Sequence, residues 1–362
     1  MRNDDLSRRD FVKQGALGAA GIALGVRAAL AAEPPDKSKI LNFNERMEYR
    51  RCGKTGLMVS AISLGGHWKR TCVNGKDVWG GPWDAPDLLK NRTEIVSKCI
   101  DSGINYLDAC EWNEILALAK AVKGRRDKMY FGFSWCVEEM RNPKFRTKDA
   151  LLATLDKGMK QAELDCVDLW RVSCHTPGRM HTFGEVLEMA AAGEKAVKDG
   201  KCRFFGISTH DPEFLELMIK DFPIISVVLM PYTAGSKEKP THSLYDTIRK
   251  CDVGFFGIKP FANNSLFKGD SQPGNPLEKE DNERARLALR YILCNDAITA
   301  PIPGLSYPQQ VDNCLEAIAE RRKLDLGARP AILDDPRLAQ LQADVWRNLP
   351  PGYQWLRKWE CV

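Results

Sequence analysis

Residues 163–208 read ELDCVDLWRVSCHTPGRMHTFGEVLEMAAAGEKAVKDGKCRFFGIS, and the fold follows from how this stretch alternates. Val167 to Val172 is a short apolar run. Thr182 to Asp199 carries apolar residues at spacings of three and four, and Arg203 to Ile207 is a second short run. That order reads as strand, amphipathic helix, strand. A helix between two strands lets them pair in parallel through a right-handed crossover. The pattern repeats in both directions. Val59 to Leu64, Ile104 to Ala109 and Met129 to Phe133 precede it, and Ile225 to Met230, Val253 to Ile258 and Ala297 to Ile302 follow. Helix-like segments such as Thr93 to Ser102, Thr147 to Glu163 and Asn282 to Cys294 lie between them. Eight strand–helix units over roughly 300 residues predict an α/β chain closed into a (β/α)8 TIM barrel. No run is followed by Gly-x-Gly-x-x-Gly, so an open dinucleotide-binding sheet is disfavoured.

The flanks complete the organisation. A hairpin, Met47 to Cys52 with the turn Gly53-Lys54-Thr55-Gly56, opens the barrel segment 47–335. Residues 336–362 read as a helical tail packing on the barrel, and 32–46 as a polar linker. The first 31 residues are of another kind. Ser7-Arg8-Arg9-Asp10-Phe11-Val12-Lys13 precedes an Ala/Gly-rich apolar stretch, Gly15 to Val26, and the small-x-small site Ala29-Leu30-Ala31. This order predicts a twin-arginine signal peptide over 1–31, with the export machinery as partner and a mature chain starting at Ala32 outside the cytoplasm, in the periplasm. Arg27 ends the uncharged stretch well short of the ~20 residues that span a bilayer, so no stable membrane anchor is expected.

Composition narrows the function. With 44% hydrophobic and 28% charged residues the chain is neither disordered nor fibrous. Its 53 basic residues oppose 48 acidic ones and form no long run, so nucleic acid is not an expected partner. Twelve cysteines contain no Cys-x-x-Cys pair, which argues against structural zinc or iron–sulfur ligation. No metal site is expected.

In a barrel of this kind chemistry sits at the C-terminal ends of the strands. Those ends read Gly65-Gly66-His67, Asp108, Ser134-Trp135, Ser173-Cys174-His175, Ser208-Thr209-His210, Tyr232, Lys259 and Pro303-Gly304. Strand alternation turns Arg171 to the same side as Ser173, one layer deeper, with Gly132 leaving room for it. Arg171 is therefore the expected cation opposite Asp108, either as part of the catalytic set or as a buried structural pair. His175 and His210 lie just past strand ends and are acid/base candidates, packing residues being the plainer alternative. Lys259 is a general base, a phosphate contact or a solvated loop lysine. Glu111, Trp112 and Trp135, with Trp68 on the long loop His67 to Leu89, are expected to line the cleft for a carbonyl or sugar-like small molecule; packing on the rim is the alternative for the tryptophans. Tyr353, Trp355 and Trp359 in the tail are of similar character.

The blocks "MEYRRCGKTGLMVSAISLGG", "SGINYLDAC", "KGRRDKMYFGFS", "ELDCVDLWRVS", "DGKCRFFGIS" and "PIPGLSYPQQVDN", in that order, resemble the aldo-keto reductases from about Met47 to Ala317. The resemblance implies a barrel that binds NADP(H) across its mouth and moves hydride between a carbonyl and an alcohol. It puts Gly304, Ser306, Gln310 and Asn313 at the adenosine and its phosphate, counts Ser208, Ile258 and Lys259 among the other cofactor-binding residues, and sets Ile258 at the position that stacks on the nicotinamide ring. Ser306 to Pro308 would also open a helix whose free N–H groups favour an anion. Asp108 matches the family's catalytic Asp. Its Tyr, Lys and His fall at Asn113, Ser134 and Ser173. Three readings therefore stand: an oxidoreductase with a rebuilt acid/base set, a non-redox barrel enzyme (lyase, isomerase or hydrolase), and a nucleotide- or sugar-binding protein without turnover.

Overall fold

Two glycines with left-handed backbones turn the chain at its first ordered hairpin. Gly53 and Gly56 have φ of 48° and 70°, a region open to glycine at little cost, and they join β1 (Tyr49–Arg51) to β2 (Met58–Ser60). A Cβ on Gly53 would strike the backbone of residues 252–254, so the turn fits only without a side chain. The computed structural model describes residues 36–66, 82–174, 180–269 and 272–362, and between the first two of these two short strands, β4 (Cys72–Val73) and β5 (Lys76–Asp77). The signal segment 1–31, Trp68 and His175 lie outside the described residues.

The parallel strands are β3 (Leu64–Gly65), β6 (Tyr106–Ala109), β7 (Tyr130–Phe133), β8 (Val167–Ser173), β9 (Cys202–Ser208), β10 (Ile225–Pro231), β11 (Gly254–Ile258) and β12 (Ala300–Ile302). They neighbour one another in chain order as an eight-stranded sheet. Gly65 bridges to Gly304, and Ser63 and Gly65 donate N–H bonds to the carbonyls of Pro301 (3.1 Å) and Pro303 (2.8 Å), which brings the last strand back to the first. The fold is a (β/α)8 barrel with an N-terminal hairpin. One expected strand is shorter than its apolar run. Val59 to Leu64 divides between β2 and β3, because Ala61 to Ser63 carry the chain from the floor of the barrel to its wall.

The intervening helices are α1 (Pro86–Asp101), α2 (Trp112–Val122), α3 (Lys148–Gln161), α4 (Phe183–Lys198), α5 (Pro212–Asp221), α6 (Leu244–Lys250), α7 (Glu278–Ile292) and α8 (Pro308–Leu324). Their starts follow capping chemistry. Thr182 and Glu185 form a reciprocal capping box on α4, and the Asp211 carboxylate accepts from the N–H groups of Glu213 and Phe214 on α5. Alternation divides the strand side chains. Leu107, Phe131, Trp170 and Phe255 face the helices, while Tyr106, Leu169, Leu229 and Phe256 fill the barrel with Cys52, Leu57 and Val59 of the hairpin beneath them.

Both flanks of the barrel pack against it. Residues 37–46 dock rather than link: Ile40 is buried, Asn42 donates to the Ile100 carbonyl (2.8 Å), and Asn105 donates to that of Leu41 (2.9 Å). Apolar residues at 40, 41 and 47 anchor a stretch whose composition is otherwise polar. The tail begins with α9 (Pro336–Arg347) and ends in a 3-10 segment, Pro351–Trp359. It packs through Leu338, Leu341, Val345 and Leu356 against Leu287 and Ala288 of α7, with Arg284 paired to Asp344 at 2.5 Å.

Candidate active site at the barrel mouth

A cavity of about 790 Å³ opens at the C-terminal ends of the strands, within the range that encloses a cofactor-sized ligand. Its floor is made by two side chains from non-adjacent strands. Arg171 of β8 points into the barrel and grips Asp108 of β6 in a two-pronged pair, Nε to Oδ1 at 2.9 Å and Nη2 to Oδ2 at 2.5 Å. Both are nearly fully buried. Burial opposes the guanidinium charge, but the Asp108 carboxylate outweighs it and holds Arg171 firmly protonated. Tyr106, two residues before Asp108 on the same face, donates to Oδ1 at 3.2 Å, and burial raises its phenol well above the usual range. Gly132 has a different duty from the one expected. A Cβ there would fall on the Tyr106 hydroxyl and on Asp108 Oδ1, so the glycine makes room for the groups that hold Arg171 rather than for Arg171 itself.

Beside this pair lies a buried group with no signature in the sequence. Glu139, in the loop after β7, is fully buried and receives four hydrogen bonds. The N–H groups of Trp135 (2.9 Å) and the Trp170 indole (3.3 Å) reach Oε1; the Ser173 N–H (2.8 Å) and the Ser134 hydroxyl (2.6 Å) reach Oε2. Burial pushes its carboxyl above the usual range, against the pull of Ser134, the two backbone donors and Arg171. The Ser134 and Ser173 hydroxyls are 2.9 Å apart, and Arg171 Nη1 donates to Ser173 Oγ at 3.4 Å.

The upper wall is aromatic. His210 lies flat on Trp355, ring centroids 3.9 Å apart, and Lys259 Nζ sits 5.5 Å and 5.8 Å from the rings of Tyr353 and Trp355. Lys259, Ala262, Asn263 and Asn264 all have φ between 47° and 66°, a concentration of strained backbone of the kind found at ligand clamps. Glu111 and Arg141 also face the cavity. The two described tryptophans expected in the cleft do not. Trp135 is buried against Phe133 and Gly158 of α3, because the chain leaves β7 at Phe133 and turns into a short 3-10 helix. Trp112 is the first residue of α2 and half-exposed outside the cavity walls; Asn113 behind it also lies outside them, with its side-chain oxygen buried.

At the far end, Gly304, Ser306, Gln310 and Asn313 line the cavity where α8 begins. The N–H groups expected to await an anion are partly engaged: Gln310 Oε1 accepts from Ser306 (2.7 Å) and Tyr307 (3.2 Å). Asn313 accepts from Arg286 (2.7 Å) and donates to the Asn282 carbonyl (3.1 Å), tying α8 to α7. Arg92 of α1 is fully buried and donates to the carbonyls of Leu305 (2.8 Å) and Ser306 (3.3 Å), fixing the turn from behind. Ser208, Ile258 and Lys259 lie between the two ends, Ile258 being in register with Ile302. The cavity thus runs from a charged pair, past a lysine, to a polar helix start, an outline that a dinucleotide fits. Among the described residues no cluster of three His, Cys, Asp or Glu side chains could hold a metal ion.

The model of the Aldo/keto reductase family matches residues 77–325. The chain belongs to this family. It is 23% identical over 355 aligned residues to the L-glyceraldehyde 3-phosphate reductase of Escherichia coli strain K12, covering 83% of this chain and 95% of that protein. It is 23% identical to the L-galactose dehydrogenase of Arabidopsis thaliana, covering 78% and 91%. Among solved structures, an aldo-keto reductase from Klebsiella pneumoniae in complex with NADPH superposes with a TM-score of 0.61 at 17% identity, covering 85% of this chain and 97% of that one. A holo-form aldo-keto reductase from Bacillus halodurans gives 0.57 at 18%, covering 85% and 99%. These structures share the barrel. An aldo/keto reductase is an oxidoreductase.

Proposed function

We propose that the protein is an exported NADP(H)-dependent aldo/keto reductase that interconverts a small sugar-like carbonyl compound and its alcohol with a rebuilt acid/base set. The Asp108–Arg171 pair carries this reading, since it fixes guanidinium N–H donors, their charge balanced by the carboxylate, at the floor of a cavity that continues to the start of α8. When bound, the reduced nicotinamide supplies the hydride. Gly304, Ser306, Gln310 and Asn313 would hold the adenosine and its phosphate, with Ser208, Ile258 and Lys259 along the remainder. A guanidinium already oriented by Asp108 favours negative charge developing on a carbonyl oxygen above it. Glu111, His210 and Arg141 would contact the substrate's polar groups, and His210 and Lys259 remain acid/base candidates at the wall, as His175 does outside the described residues. The names of the Escherichia coli and Arabidopsis relatives, and NADPH in the Klebsiella structure, support a sugar-like substrate and this cofactor.

The test is direct. NADP+ added to the purified mature protein should raise its melting temperature, and NADPH should be consumed when small hydroxyaldehydes are supplied. No shift and no consumption would overturn the proposal. Binding without hydride transfer is the second reading, favoured by Asn113, Ser134 and Ser173 where the resemblance puts Tyr, Lys and His; a melting shift with no turnover would establish it.

A further inference from the structure

We propose that Glu139 is the proton store of this site, and that Ser134 and Ser173 carry its proton to and from the substrate oxygen. The proposal rests on the oxidoreductase reading above and supplies the acid that Asn113 cannot. Its basis is which of the contacts on Glu139 can reverse. The Trp135 and Ser173 backbone N–H groups and the Trp170 indole N–H are donors only, and they occupy three approaches to the carboxyl. The fourth, at Oε2, is the Ser134 hydroxyl, which can donate to a carboxylate or accept from a carboxylic acid. A proton on Glu139 therefore has one hydrogen-bonded exit. Ser134 leads to Ser173 at 2.9 Å, a contact in which either oxygen can donate, and Ser173 lines the cavity beside Arg171. Arg171 Nη1 fills an acceptor position on Ser173 Oγ and leaves the hydroxyl hydrogen to point to Ser134 or to the cavity.

All three residues are buried, and Arg171 on β8 and the Cys174 thiol that follows it are among the titratable groups that act on Glu139. Burial raises the Glu139 carboxyl above the usual range while its four donors and Arg171 pull it back down, so the group can both take up a proton and give it away. In the reducing direction hydride from the reduced nicotinamide adds to the carbonyl carbon. The oxygen takes the Ser173 hydroxyl proton, Ser173 takes that of Ser134, and Ser134 takes the proton of Glu139. One hydride and one proton make the alcohol, and water in the emptied cavity returns the proton along the same path. Oxidation runs the chain in reverse. Glu139 touches no substrate and acts through the two serines.

Ser134→Ala breaks the chain at its middle. It should lower kcat about 100-fold while the KM for the carbonyl and the NADPH dissociation constant stay within about twofold, and Ser134→Thr should recover most of the loss. A turnover-independent measurement separates this proposal from the function it rests on. Infrared spectra of the cofactor-free protein in mildly acidic buffer should contain the carbonyl stretch of a buried protonated carboxyl, absent in Glu139→Gln. On transfer to D2O its deuteration should be at least tenfold slower in Ser134→Ala than in wild type. If Glu139→Gln does not fold, the frequency shift of this band on loss of its Ser134 partner makes the assignment, and Ser173→Ala breaks the same chain one hydroxyl nearer the cavity. Slowed deuteration in a protein that neither binds nor oxidises NADPH would support the relay and overturn the reductase reading. Full kcat in Ser134→Ala, or unchanged deuteration, would overturn the relay and leave the reductase reading standing.

Discussion

Asp108 and Arg171 each sit where a lone charge would be intolerable, and each is there because the other is. Replacing Asp108 by Asn leaves the guanidinium buried against a neutral partner, so Asp108→Asn should lose on the order of 3 kcal/mol of stability. Urea unfolding measures this, and an unshifted midpoint would mean that the pair does not carry the charge of Arg171. Trp135 is the complementary case. Trp135→Ala should cost about 3 kcal/mol through the cavity it leaves between β7 and α3, with cofactor and substrate affinity unchanged in the folded variant. A weakened affinity would return Trp135 to the cleft. These residues also mark what the sequence could reveal. The direction of Arg171 follows from strand alternation, because β8 is regular through Ser173. Trp135 stands two positions past the end of β7, where alternation no longer applies. Glu139 had no signal at all: it follows Glu138 in a loop, and of these adjacent acids Glu138 pairs with Lys157 near the surface while Glu139 is sealed inside.

Among the elements, the hairpin and the start of α8 show how packing sets chemistry. Glu48 precedes β1 and accepts from Arg50 at 2.9 Å and from Arg321 of α8 at 3.0 Å. Burial works against its charge, yet the two arginines together hold its carboxyl below the usual range. A depressed folded-state value stabilises the protein above the ordinary carboxylate range, and that stability is lost as pH falls through the lower folded value. Glu48→Gln should accordingly be less stable than wild type near neutrality, and the gap should close on acidification below the ordinary carboxylate range. A gap that stays constant with pH would place the effect elsewhere. Arg92→Met should loosen the 305–306 turn and weaken NADP(H) binding in a protein that still folds; unchanged affinity in a titration would contradict that link. The strand–helix rhythm was readable because parallel strands covered on both faces are nearly continuous apolar runs. The brevity of β3 was not, since Val59 to Leu64 is equally apolar on either side of the bend. The docking of residues 37–46 is not legible in the sequence, because a few apolar contacts and asparagine side chains, rather than composition, fasten that segment.

On the scale of the whole molecule, the tail turns a common barrel into a particular vessel. Trp359 is buried, Trp355 backs His210, and the last residues join 237–239 through backbone hydrogen bonds between Lys237, Lys239, Glu360 and Val362. The cavity is therefore bounded by residues from both ends of the barrel order and from beyond it, a relation that strand spacing alone does not encode. The proposed destination outside the cytoplasm rests on residues 1–31, and Arg8→Lys with Arg9→Lys should trap the protein in the cytoplasm; undiminished export would remove that part of the account. Hydride transfer in this cavity is checked by mixing the mature protein with NADPH deuterated at the reactive nicotinamide carbon and small hydroxyaldehydes, then following deuterium into the product alcohol by mass spectrometry. One deuterium per alcohol is expected in wild type. NADPH that binds and yields no deuterated alcohol across the hydroxyaldehydes tried would contradict it.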